Sequence, residues 1–277
     1  MNANWRLWGA QVAAILRLEM RRTLLSRRGW WIYLMLALPV LLTFGHSLHS
    51  MSRGEWNCSI GEDSMVYATI FQFFYLKLAI FFGCLGIFSN LFRGPMLDRT
   101  LHYYLLVPVR REVLLAGKYL AGLFAAVVLF AGSAALAFFG MFLHFGQGFR
   151  DFFWRGAGLS NLGWYVAVMA LAAVGYGAVF LAAGIVFRNP MFPAALVMAW
   201  ETINGYLPEM VQKFSVIFYL KSLCPVQVPL HGPLALIAVI AEPVPAWLAI
   251  PGLLVVSLLV LIYAASKVRK IEISYSD

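Results

Sequence analysis

The 277 residues are 62% apolar and only 12% charged, with a mean hydropathy of +0.80, far from the roughly 45–50% apolar and 25% charged of a soluble domain. A water-soluble fold of this length cannot hide that much apolar surface, so a soluble enzyme is excluded and an all-α polytopic membrane protein is expected, with 1–277 as a single transmembrane domain. The net charge of +9 does not point to nucleic acid, because the Lys and Arg residues lie in short segments beside apolar runs, the pattern that orients a membrane protein.

Residues 1–28 have helical periodicity. Arg6, Arg17, Arg21 and Arg28 share one side of the helical wheel, and Trp8, Val12, Ile15 and Leu16 gather on the other, which predicts an amphipathic interfacial helix along the cytoplasmic leaflet. Glu19 falls on the apolar side, where a carboxylate requires a partner. The apolar run that follows has no A-x-A cleavage site behind it, so it is expected to be a retained span rather than a signal peptide.

A bilayer core of about 30 Å takes about 20 helical residues to cross. Six segments meet that length: 29–48, 66–88, 119–143, 162–187, 191–207 and 247–265. Between the last two, residues 208–246 hold two short apolar pieces, 214–220 and 234–241, hemmed by Pro225, Pro229, Pro233, Pro243 and Pro245; this stretch is expected to form outer re-entrant or interfacial helices. Six spans put both termini on one side. That side collects 15 Lys and Arg against five on the other, which predicts cytoplasmic termini.

Two charges sit at membrane depth. Lys77 is the midpoint of 66–88, and Glu201 lies near the centre of 191–207 beside Thr202 and Asn204; each charge costs about 2.5–3.5 kcal/mol on insertion scales, so neither is expected to face lipid. A polar translocation surface and a buried Lys77–Glu201 pair both account for them. Ala173, Gly177 and Gly184 share one helical face and predict close helix packing. His46 and His49 are at helical spacing, but no acidic or cysteine cluster joins them in sequence, and no metal site is expected. Cys58, Cys84 and Cys224 form no CxxC; Cys58 and Cys224 fall on the outer side, which permits a bridge without requiring one.

The loop after the second span holds Gly94-Pro95 and, further on, Pro108. Between them Leu97, Leu101, Tyr104 and Leu105 recur at helical spacing, with Asp98, Arg99 and His102 elsewhere on the helix, so a short amphipathic helix is predicted over 94–107. The sequence contains no G-x-x-x-x-G-K-[ST]. Any ATP used must therefore be bound by another chain.

Arg17-Leu-Glu-Met-Arg-Arg before the first span, Asp98-Arg-Thr-Leu, Pro108-Val-Arg-Arg and Lys118-Tyr-Leu, together with six spans and a long outer segment before the last, resemble the permease subunits of ABC-2 type ABC transporters. The resemblance implies a multi-pass subunit of a bacterial inner membrane, forming a homodimer or a heterodimer with a second permease and working as an exporter. It implies a separate ATP-binding cassette subunit that binds ATP and Mg, no cofactor or catalytic residue in this chain, contact with membrane lipid and none with nucleic acid. Coupling to the ATPase is expected through the 94–107 helix, with Glu19, Asp98, Arg99, Thr100 and His102 as the contact residues. Rival readings are an ion-coupled secondary transporter, with Lys77 and Glu201 as coupling residues, and a membrane-embedded enzyme or non-transporting membrane assembly factor.

Overall fold

The computed structural model describes residues 5–24, 29–53, 59–98, 100, 106, 109–187, 189–213, 215–228 and 244–269. These residues form an all-α polytopic membrane fold. The helices are α1 (Trp5–Leu24), α2 (Trp30–Arg53), α3 (Ile60–Ile70), α4 (Ile80–Leu97), α5 (Arg111–Phe142), α6 (Gln147–Arg155), α7 (Gly158–Val186), α8 (Met191–Ile203), α9 (Glu209–Gln212), α10 (Val216–Ser222) and α11 (Ala246–Val268). A π-helical segment, Phe71–Ala79, joins α3 to α4 without a break, so that 60–97 is one continuous helical element.

Five elements are long and apolar enough to cross a membrane: α2, the α3–α4 element, α5, α7 and α11. They coincide with five of the six expected spans, and the longer ones extend past them. At about 1.5 Å per residue, the 32 residues of α5 reach about 48 Å, well beyond a core of about 30 Å. Its first turns therefore stand clear of the apolar layer or tilt within it. The segment 191–207 differs from expectation, because α8 stops at Ile203 after 13 residues and gives way to a 3-10 turn, Asn204–Tyr206. Gly205 and Pro208 interrupt the helix, and about 20 Å of α8 cannot span alone.

α7 lies at the centre, packed on α4, α5 and α11. Its glycines allow the close approach expected from Ala173, Gly177 and Gly184: a Cβ on Gly184 would meet the Ser89 backbone at 2.8 Å, and one on Gly177 the Phe88 ring at 2.5 Å. The core between these helices is aromatic, with Tyr67, Phe71, Phe138 and Tyr165 in ring contact and fully or nearly fully buried. Large apolar side chains such as Leu34, Leu41, Leu258 and Ile262 remain exposed on α2 and α11, a surface suited to lipid and not to water.

The two ends of the bundle are distinguishable. α1 packs against α5, and α4 ends beside it. Arg269, just after α11, pairs with Glu112 at 2.6 Å, and Arg111 donates to the carbonyls of Val268 and Arg269 at 3.2 and 2.7 Å. α11 thus ends where α5 begins, at the α1 end. α7 also finishes there, since Gly184 rests on Ser89 of α4, so Val186 and Ala246 lie at opposite ends of the bundle.

Candidate functional site at the junction of α1, α4 and α5

The site begins with a proline. Pro95 lies inside the last turn of α4 and lacks the N–H that would have bonded the carbonyl of Leu91, four residues back. Lys118 of α5 takes that carbonyl instead, its Nζ donating at 2.9 Å. The same ammonium donates to the Glu19 carboxylate of α1 and lies 5.5 Å from the centre of the Phe92 ring. Lys118 is 0% and Glu19 2% exposed. A cation and an anion buried to that degree hold only as a hydrogen-bonded pair, so the partner that the position of Glu19 required is Lys118. Alongside them, Ile15 of α1 sits where Gly117 has no side chain; a Cβ there would meet it at 2.9 Å. The apolar face of α1 is therefore docked on α5, not only on the membrane surface.

One turn further along α1, Arg22 pairs with Asp98 at 3.2 Å, both side chains being partly exposed. Asp98 caps the end of α4, its N–H bonded to Gly94, and Thr100 N–H bonds Pro95 O at 2.9 Å. Between α1, α2 and α4 a cavity of about 310 Å³ opens, lined by Glu19, Arg22, Trp31, Asn90, Pro95 and Asp98 among others. At the N-terminal side of α1 the Arg110 guanidinium stacks on Trp8 at 4.7 Å, a cation–π contact that pins the start of α5 to α1. Asp98 is thus tied to α1 through Arg22, and α1 to α5 through a buried ion pair.

The sequence pattern of the family described as ABC-2 family transporter protein matches residues 20–204, from the middle of this junction to the end of α8. The chain belongs to that family. No curated protein matches the chain in sequence. As an ABC-2 permease it is a membrane-embedded transport component, and membership implies an ABC ATPase as its partner.

Within this permease the expected site residues divide. Glu19, Asp98 and Thr100 come together at the junction; Arg99 and His102 lie outside the described residues, as do Leu101, Tyr104 and Leu105 of the expected helix. The start of that helix is corrected: residues 94–97 are the last turn of α4, because Pro95 near a helix end removes one bond that Lys118 replaces, rather than opening a new helix. Lys118 itself was absent from the expected contacts, although a lysine on a glycine- and alanine-rich helix of apolar character is a signal of a buried pair.

Of the two readings of Lys77 and Glu201, the buried pair is not formed. Glu201 accepts from the Ser215 hydroxyl and from the N–H groups of Val216 and Ile217, at 3.1 and 3.3 Å, so it caps α10. Lys77 lies in the π-helical segment, its Nζ 5.1 Å from the centre of the Phe73 ring. Its charged neighbour is another cation, Lys221. Thr202 bonds back to Met198 O at 2.7 Å on an exposed face, and buried Asn204 donates to Val211 O at 3.5 Å. Glu201 and Asn204 thus brace the short helices that follow α8. Lys77 and Glu201 make no direct contact but share Lys221 as a charged neighbour, so Lys77→Met and Glu201→Gln are expected to depart from additivity in thermal stability only by that indirect coupling; a double variant more stable than either single one would restore the pair. Cys224 is a free, buried thiol with a bond to Leu220 O; Cys58, the other half of the permitted bridge, lies outside the described residues.

Proposed function

We propose that this permease exports its substrate using ATP hydrolysed by a separate cassette subunit, which docks at the α1, α4 and α5 junction. The observation that carries the reading is the buried Lys118, which ties Glu19 of α1 and the Leu91 carbonyl of α4 to α5, next to the more exposed Arg22–Asp98 pair. A partner grasping the chain after α4 would move a rigid three-helix unit, not a loose loop. The excess of basic residues at this end supports a cytoplasmic orientation for it, where a soluble ATPase is found. The exposed apolar faces of α2 and α11 leave surface for a second permease subunit, identical or homologous, as well as for lipid. Proton or ion coupling has less support, since Lys77 and Glu201 are engaged separately.

The test is purification of the native complex in mild detergent. A soluble P-loop ATPase is expected to accompany the permease in stoichiometric amount, and vesicles containing both are expected to transport only with ATP. Transport that persists after ATP depletion and collapses with the proton gradient would replace this reading with the ion-coupled one.

A further inference from the structure

At the end of the bundle away from α1, three side chains from separate elements converge. His46 comes from the last turns of α2, Asp63 from the first turn of α3 and His144 from the 3-10 turn Leu143–Phe145 that follows α5. His46 Nε2 and His144 Nε2 each lie 3.5 Å from Asp63 Oδ2, and the three atoms are within 4.8 Å of one another. All three atoms are buried, and none makes a hydrogen bond among the described residues. The Asp63 and His144 side chains are only 4% and 9% exposed.

The tautomer of His144 follows from its neighbour. Ser47 Oγ has one proton and gives it to Gly140 O at 2.6 Å, so its 3.1 Å contact with His144 Nδ1 must be one in which Nδ1–H donates and the hydroxyl accepts. In the neutral ring the lone pair of His144 is then on Nε2, pointed at a carboxylate oxygen. Two acceptors facing each other require a cation between them. A shared proton would draw the pair to about 2.7–2.9 Å; the 3.5 Å found here is close to the edge of a tetrahedron of ligands around zinc, about 3.3 Å for bonds of about 2.0–2.1 Å. The Nδ1–H to Ser47 bond is also the orienting contact that metal-bound histidines make. The position of Asp63 is fixed locally, because Ser59 and Glu62 form a reciprocal capping box at the start of α3.

We propose that His46, Asp63 and His144 bind one divalent transition-metal ion of the zinc type, with a fourth position open to a small ligand. The ion staples the ends of α2, α3 and α5 together. Two histidines and a carboxylate favour Zn²⁺ or its neighbours over Mg²⁺ or Ca²⁺, which prefer all-oxygen sites. The nearby His49 is exposed on α2 and takes no part.

The experiment uses the full chain, purified without a polyhistidine tag, stripped with EDTA and given Zn²⁺ or Co²⁺. After gel filtration the wild type is expected to retain about one Zn²⁺ per chain, and its Co²⁺ form to show the intense visible absorption of a tetrahedral site. Asp63→Asn keeps the side-chain shape, so it reports on ligation apart from folding; it and His46→Ala are expected to weaken Zn²⁺ binding by more than ~10-fold, since even outer-shell changes cost that much. His49→Ala is expected to bind as the wild type does. Retention well below one ion per chain, or unchanged binding in Asp63→Asn and His46→Ala, would overturn the proposal.

Discussion

Replacing Lys118 with methionine is expected to destabilise the permease by about 3–5 kcal/mol, the cost of leaving a buried partner charge without compensation. Glu19 is 2% exposed and would face that loss directly. The carbonyl of Leu91 would lose its donor as well, because Pro95 supplies none. Glu19→Gln alone is expected to fall in the same range, as it strands the Lys118 ammonium. The double variant Glu19→Gln, Lys118→Met removes both charges and is expected to stand well above either single variant in thermal melting in detergent. A further change separates the two losses: Pro95→Ala restores a backbone N–H to Leu91 O and is expected to recover part of the stability lost in Lys118→Met, about 1 kcal/mol for one hydrogen bond. A double variant no more stable than the single ones would show that Glu19 and Lys118 do not depend on each other.

Much of this fold is legible in the sequence, since membrane-crossing helices announce themselves by length and apolarity. Five spans and the amphipathic α1 follow from that signal. What the sequence does not show are contacts closed by tertiary structure. Glu19 visibly needed a partner, but nothing local points to Lys118, which reaches it only because α1 docks where Gly117 leaves room for Ile15. Pro95 reads as a helix start by local rules, and becomes the last turn of α4 because a side chain from another helix replaces its missing bond. Glu201 and Lys77 read either as partners or as a polar translocation surface, because both are costly in a membrane. The chain instead satisfied Glu201 with the N-terminus of α10, whose position depends on the break at Gly205 and Pro208. His46 showed no acidic neighbour along the chain, and gained Asp63 and His144 only in three dimensions.

The second large effect concerns function rather than stability. Arg22 and Asp98 are both partly exposed, and a surface ion pair contributes only about 0–1 kcal/mol. Asp98→Arg is therefore expected to insert, fold and assemble as the wild type does, while transport falls by an order of magnitude or more, roughly what removing about 1.4 kcal/mol from a coupled step would do. The buried Glu19–Lys118 pair would still hold α1 to α5. What would be lost is the link from the chain leaving α4 to that unit. Reversal at Arg110 is expected to do less, as its contact with Trp8 lies away from Asp98.

The most direct test is a charge exchange in vesicles reconstituted with the partner ATPase, comparing wild type, Asp98→Arg, Arg22→Asp and the double variant Arg22→Asp, Asp98→Arg. ATP-driven transport and substrate-stimulated ATP hydrolysis are expected to fail in each single variant, where like charges meet. Both are expected to return in the exchanged pair. Wild-type transport in the single variants, with normal insertion, would show that this junction does not carry the coupling.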